Sequence, residues 1–523
     1  MFSLHRILLL LRMSQHGLHT RSSQHSLPPA HALHAYLRRR THPPPRRAPR
    51  ASHSHKSASS HLLGSVLFPA TMAQSFSLLV RTATLPIRFA QALVASALLL
   101  LAGSTLHAQS APAAPPHTQA VLAGRLIDVR TGQITTRAYI VLNDERIVSV
   151  STNAPAAGVP ITDLSRYTLV PGLIDAHAHI LSDPTTQSSA SYLLTSAPQA
   201  TIRGVANLQL WSKHGFTVVR DACESYPSYP QFALREGVQK KLISGPRILA
   251  AGSCVSLTGG HGDSDRLSPD KPSLDQPNQV DTVDDVSRIV RRDIKYGADW
   301  IKLMATGGVM DPISDYRVQE LSDEQMARAV QEAHRAGRKV MAHAEGTLGI
   351  KAAVMAGVDS IEHGTLLDDE GAMMMAQRGT WLVPTLYCFQ HDIETGLSKG
   401  REPASMAKGI AIVKEQGPAF QRALKYHLKI AYGVDDADID ESVSKEFGAL
   451  VRGGMTPLQA LQAATINGAL LLSLDHDLGA IEPGKYADLV AVPGNPLDDI
   501  TAMEHVAWVM QAGTVLKPLT PNP

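Results

Sequence analysis

Cysteine is scarce: Cys223, Cys254 and Cys388 are the only three in 523 residues, too few and too scattered for a disulfide framework or a Cys-based zinc site. A strong overall charge is also missing, with 49 basic and 47 acidic residues giving a formal +2. Acidic residues are absent from the first 108 positions, which hold twelve Lys or Arg, so the rest of the chain carries ten more acidic than basic residues. An acidic body argues against nucleic acid as the partner. The apolar run Ala92 to Ala102, about eleven residues, falls short of the ~20 that a membrane-spanning helix needs. What is present is a globular balance of 44% apolar and 18% charged residues, on a chain long enough to bury a large core.

Residues 1–71 are rich in His, Arg, Ser and Pro and show no sustained period, which is expected of low-complexity sequence outside the mature protein. From Met72 the pattern becomes that of a secretory signal: Arg81 and Arg88 form a positive start, Ala92 to Ala102 an apolar middle, and Leu106-His107-Ala108 a small-residue cleavage site. We therefore expect translation to begin at Met72, a signal over 72–108, and a mature chain starting near Gln109, periplasmic or secreted in the Gram-negative manner. An uncleaved membrane anchor is the alternative.

After a Pro/Ala linker (109–118), strand-like stretches separated by turn residues fill 119–171, and similar stretches return over 478–518. Both must bury an apolar face, so a small β-sandwich built from both ends is expected. Between them, over 172–477, short apolar strands alternate with amphipathic helical stretches. Eight strand candidates end near His177, Asp221, Ala251, Met304, His343, His363, Leu386 and Asp435. This pattern predicts a (β/α)8 barrel of the TIM type, an α/β fold whose reacting groups sit at the carboxyl ends of its strands.

Five of those ends carry candidate metal ligands. Leu173 to His179 closes with His177 and His179, which a period of two places on one face. The fourth strand holds Lys302 within Trp300-Ile301-Lys302-Leu303-Met304. A buried ammonium is costly there, and a neutral amine can take up carbon dioxide to become a two-oxygen carbamate ligand. The fifth, sixth and eighth ends add His343, His363 and Asp435.

From about Val121 to Lys517 the chain resembles the amidohydrolase superfamily. The resemblance lies in Val170-Pro171-Gly172-Leu173-Ile174-Asp175-Ala176-His177-Ala178-His179 and in Gly479-Ala480-Ile481-Glu482-Pro483-Gly484-Lys485-Tyr486-Ala487-Asp488-Leu489-Val490. Ile301-Lys302, Gly307-Gly308-Val309-Met310, Ala342-His343-Ala344 and Ile361-Glu362-His363-Gly364 are similar to its prolidase and imidazolonepropionase-like group. That group includes Xaa-Pro dipeptidases, broad carboxypeptidases and ochratoxin A hydrolases. The resemblance implies two divalent metal ions, with His177 and His179 on one, His343 and His363 on the other, carboxylated Lys302 bridging, and Asp435 acting as ligand and base. Where the family commonly shows Gly-Thr-Asp followed by Ala or Ser, this chain has Gly433-Val434-Asp435-Asp436, which leaves Asp436 as a minor rival.

Such a ligand set activates a bridging water against an amide carbonyl, with no Ser, Cys or Thr nucleophile. Zinc is the default for mixed His and carboxylate donors, with manganese or cobalt acceptable. For the substrate, His261 in Thr258-Gly259-Gly260-His261-Gly262 is a candidate for binding a carboxylate or carbonyl, Tyr387 for an oxyanion donor, and Arg220 and Arg317 for bidentate pairing with a free carboxylate. Asp263 to Thr282 and Gln390 to Pro403 are long enough to act as lids. The resemblance favours dipeptides or N-acyl amino acids with a free carboxylate, up to ochratoxin A, and implies a homo-oligomer. Opening of a cyclic amide is a rival that Lys302 disfavours, and a non-catalytic binding protein is a remoter one.

Overall fold

The computed structural model describes residues 117–520, apart from 189, 266, 272–275 and 277. The low-complexity and signal segments expected over 1–108, and most of the linker, lie outside the described residues.

The first four strands, β1 (Thr118–Ile127), β2 (Ile134–Asn143), β3 (Arg146–Ser151) and β4 (Ile161–Pro171), come from the amino-terminal side of the domain. Three more, β12 (Leu489–Val492), β13 (Trp508–Gln511) and β14 (Thr514–Lys517), come from its far end. The two groups meet as expected, and their hydrogen bonding is continuous: one seven-stranded mixed sheet in the order β14-β13-β12-β4-β1-β2-β3. β12 runs antiparallel to β4, with Leu489 opposite Pro171. Alternate apolar residues of both groups, including Val121, Ile140, Leu169, Leu489 and Trp508, pack into one buried cluster.

The second sheet is parallel, in the order β5 (Leu173–Ala178), β6 (Phe216–Asp221), β7 (Arg247–Val255), β8 (Trp300–Met304), β9 (Lys339–Ala344), β10 (Ser360–His363) and β11 (Trp381–Val383). Helices follow the strands, and local chemistry sets their ends. The helix Val283–Tyr296 opens on a capping box in which Thr282 accepts from the Asp285 amide and the Asp285 side chain accepts in return. It closes on Gly297 at φ 111°, a conformation that favours glycine. The strands alternate as a barrel requires: Ile301 and Leu303 of β8 join the cluster shared with the helices, while Trp300 and Met304 join the interior cluster. Lys302 therefore faces inward.

The eighth expected strand, ending at Asp435, is present as an irregular segment that closes the ring by single hydrogen bonds. Ala431 donates to Leu382 O (3.0 Å), Ala176 to Tyr432 O (2.8 Å) and Asp435 to His177 O (2.9 Å). Gly433 allows this close approach, because a Cβ there would lie 2.7 Å from the His177 Cβ. Two strand ends differ from the expectation. β7 runs on from Ala251 to Val255, and β11 stops at Val383, so Leu386 opens the helix Leu386–Thr395 instead of ending a strand. Among the described residues no helix is long and apolar enough to cross a membrane.

The cysteines also depart from the sequence expectation. Cys223, two residues past β6, is disulfide-bonded to Cys254 on β7, a pairing between neighbouring strands that residue spacing does not reveal. Cys388 is free and buried.

Candidate active site

The carboxyl ends of the strands surround a cavity of about 360 Å³. At the end of β5, His179 lines it and His177 lies buried two residues earlier, and each ring is oriented by its Nδ1. His177 Nδ1 donates to Glu362 Oε2 at 2.8 Å, and His179 Nδ1 donates to the Cys223 carbonyl at 3.0 Å. Both Nε2 atoms then face Asp435, whose Oδ1 lies 3.4 Å from the first and 3.2 Å from the second. Asp435 Oδ2 lies 3.7 Å from His363 Nε2. His363 is held through Nδ1 by Thr385 Oγ1 at 2.7 Å, and His343 through Nε2 by the Gly307 carbonyl at 3.1 Å. These partners fix tautomers and ring planes, as partners of metal-binding histidines do. His363 (φ 70°), Thr385 (φ 45°) and Asp435 (φ 53°) all occupy the left-handed region, a backbone cost that tends to collect at working sites.

Burial prepares these groups chemically. It drives the His177 imidazole down to about 4, helped by the charge of Lys302, and that of His363 down to about 3. His343 is pushed well below the usual range by burial and by His261 and His363. For His179 burial is overridden by the hydrogen bond to Asp435, which raises it. Lys302, 2% exposed, is brought down to about 8 by burial, against the pull of the Glu362 and Asp435 carboxylates. Burial disfavours the Asp435 carboxylate, but the surrounding histidines, His177 foremost, hold it well below its usual range.

Two groups of three donors result: His177, His179 and Asp435, and His343, Glu345 and His363, the ligand atoms in each lying within 4.8 Å of one another. Imidazoles beside an ionised carboxylate fit divalent cations. So does the Glu345 carboxylate, fully buried with Oε1 lacking any hydrogen-bond partner.

Of the substrate candidates, His261 lines the cavity, its Nδ1 bonded to Asp311 Oδ2 (2.8 Å) and its ring 4.4 Å from that of His343. The other three require correction. Arg220 is fully buried and is consumed by Glu362 (2.9 and 3.0 Å), Ser360 Oγ (3.2 Å) and the Ala176 carbonyl (2.5 Å), with Trp300 under its guanidinium. Arg317 is exposed and forks onto Asp315 two residues away. Tyr387, in the helix after β11, stacks near His391 and Lys445 and is not part of the cavity lining. Asp436 is occupied by His391 Nδ1 at 2.6 Å. The lining cations not anticipated are Arg203, paired with Asp183, and Arg401, paired with Asp392. Glu345 was also missed, although His343-Ala344-Glu345 repeats the period of two that marked His177 and His179. Apolar surface comes from Tyr192 and Tyr226, ring centres 5.1 Å apart, and from Val309, Met310 and Phe389.

A barrel that keeps His177, His343 and His363 neutral, its lysine near neutrality and an acid ionised beside them meets the protein's side of metal-dependent hydrolysis. The chain belongs to the amidohydrolase family, whose sequence model matches residues 168–516, and it is a hydrolase acting on amide bonds. An ochratoxinase of Aspergillus niger is 31% identical over 421 residues, covering 76% of this chain and 86% of that one. The crystal structure of a Xaa-Pro dipeptidase with bound methionine superposes with a TM-score of 0.72 at 31% identity, covering 76% of this chain and 99% of the other. The A. niger ochratoxinase structure superposes at 0.68 and 30% identity, covering 77% and 96%.

The Arg220–Glu362 pair yields a prediction. Removing one partner leaves a buried charge uncompensated, so Glu362→Gln should destabilise the metal-free protein by roughly 3–5 kcal/mol. In denaturant unfolding, the double variant Arg220→Met/Glu362→Gln should be less destabilised than the sum of the single changes. Additive losses would show that the two side chains do not depend on each other.

Proposed function

We propose that the protein hydrolyses the amide bond to a C-terminal amino acid in dipeptides or N-acyl amino acids, including aryl-acyl amino acids of the ochratoxin type, using two divalent cations. The position of Asp435 carries this reading, since one oxygen approaches His177 and His179 and the other approaches His363. His177, His179 and Asp435 would hold one cation, His343 and His363 the other, with Lys302 between them as a carbamate; zinc suits the donor set best. When bound, such ions polarise a carbonyl and lower the pKa of water toward neutrality. Asp435, kept ionised, accepts the proton of the attacking water and passes it to the departing amine nitrogen. His261, its Nδ1 fixed by Asp311, keeps its other ring nitrogen for a substrate oxygen. A cavity of about 360 Å³ is at the small end of ligand sites and suits a dipeptide-sized molecule. Tyr192, Tyr226 and Phe389 accommodate an apolar or aromatic side chain, and Arg203 or Arg401 is available to share its charge with a free carboxylate. The likeness to an ochratoxinase and a Xaa-Pro dipeptidase supports this substrate class.

We further propose export from the cytoplasm. The disulfide supports this, because such bonds persist in oxidising compartments, and the charge and apolar pattern of 72–108 agrees with it.

Against Xaa-Pro, Xaa-Phe, N-acetyl-Phe and ochratoxin A, wild type should release the C-terminal amino acid from at least one. Lys302→Ala and Asp435→Asn should each lower kcat/KM by 100-fold or more; turnover indifferent to both would overturn the reading. The pH dependence has a definite sign. Lys302 loses its proton as pH rises through about 8, whereas His177 and His363 stay neutral down to about 4 and 3. Metal uptake by chelator-treated protein should therefore need bicarbonate and fall off as pH drops below 8. Uptake that is level from pH 6 to 9 and indifferent to bicarbonate would remove the carbamate. For export, the secreted protein should begin near Gln109 and titrate one thiol when denatured, three after reduction. A start well before Met72, or three thiols without reductant, would count against it.

A further inference from the structure

We propose that Glu345 is a third protein ligand of the cation at His343 and His363, an inference that rests on the two-cation reading above. β9 alternates, with Val340, Ala342 and Ala344 in the cluster shared with the helices and Met341 in the interior cluster. The same period carries Glu345, one residue past the strand, to the inward side with His343. Its main chain is tied on both edges: the amide donates to Thr306 Oγ1 at 2.9 Å, and the carbonyl accepts from the Leu366 amide at 3.0 Å. The side chain is thus delivered to the cavity from a fixed point.

The carboxylate is fully buried and lines the cavity. Oε2 accepts a long 3.3 Å bond from the Thr365 amide, the Thr365 hydroxyl is the other donor beside the carboxylate, and Oε1 has no hydrogen-bond partner. Asp221, at the end of β6, also has a bare oxygen, but three other buried carboxylates of the barrel are well supplied with donors. Glu362 has Arg220, His177 and Ser360; Asp175 has Trp211 Nε1 and the His177 amide; Glu446 has the Leu386 and Tyr387 amides. A buried carboxylate with a bare oxygen is costly unless something positive meets it. Imidazole ligand atoms of His343 and His363 lie within 4.8 Å of a Glu345 oxygen. A cation among the three satisfies the orphan oxygen and gives this site an all-protein set of two nitrogens and one oxygen, leaving Lys302 free to bridge. The added oxygen donor also shifts this site's preference toward harder ions such as manganese, relative to a two-histidine site.

The test compares wild type with Glu345→Gln by metal content, by zinc and manganese affinity in chelator competition, and by the visible absorption of cobalt-loaded protein. Wild type should hold two cations per chain. E345Q should keep one, bind the second at least tenfold more weakly, and show an altered cobalt spectrum. The metal-free E345Q protein should melt no lower than metal-free wild type, because the substitution keeps the side chain's shape and removes a carboxyl with a bare buried oxygen, whereas a merely structural role would make it melt lower. Two cations at wild-type affinity with an unchanged spectrum would overturn the proposal. If wild type holds only one cation, the two-cation reading fails separately: an affinity loss in E345Q would still assign Glu345 as a ligand, and no loss would refute it. Should E345Q fail to fold, Glu345→Asp decides the matter, since the retained charge on a shorter arm should weaken the second cation several-fold and an unchanged affinity would refute the assignment.

Discussion

The ion pair between Arg220 and Glu362, both fully buried inside the barrel, is the contact on which the site depends. A buried ion pair is weak evidence for stability, since the desolvation of both charges offsets most of their attraction. Its role here is orientation. Glu362 uses its remaining capacity on His177 Nδ1, which fixes the tautomer and turns Nε2 toward Asp435. Burial alone would raise the Glu362 carboxyl, but Arg220, then His177, hold it far below its usual range, so the acceptor stays ionised. Asp175 does comparable work one turn of the pleat earlier. It accepts from Trp211, from the His177 amide and from the Val434 amide, and so ties β5 to the segment that brings Asp435 to the same hollow.

One physical cause, exclusion of water, explains most of the site's electrostatics. The same burial that lowers three imidazoles brings the lysine to about 8 and raises Glu345 to about 7. Each group is thereby moved toward its uncharged form, and cations are what such a set lacks.

The ligand candidates could be read from sequence because strand periodicity and strand ends are local properties. His177, His179, Lys302, His343, His363 and Asp435 each follow an apolar run or interrupt one, and the barrel gathers such ends automatically. Partners chosen across the barrel were not legible. Arg220 looked like a cation available for a substrate, and only the fold shows Glu362, far along the chain, already occupying it. Tyr387 follows the expected strand end at Leu386, but the strand stops at Val383 and Tyr387 lies in the helix Leu386–Thr395, its ring near His391 and Lys445. Cys223 and Cys254 are 31 residues apart and meet only because β6 and β7 are neighbours. Glu345 was visible in the pattern His-Ala-Glu, yet its orphan oxygen is a property of the packed structure alone.

The sheet shared by the two ends of the domain has a consequence for synthesis. β4 pairs on one edge with β1, made just before it, and on the other with β12, roughly 320 residues later. Until the ribosome delivers residues near 490, Leu169 and Val170 present an open strand edge at the threshold of the barrel, and open edges recruit other chains. Closing so long a loop carries an entropic cost on the order of 5 kcal/mol. That cost falls on the docking of the last strands, where the Asp488 carbonyl takes the Gly172 amide and its carboxylate takes Arg247. The nascent chain is therefore most exposed to misassembly near the end of its synthesis, with the barrel strands already made and the outer sheet still half built.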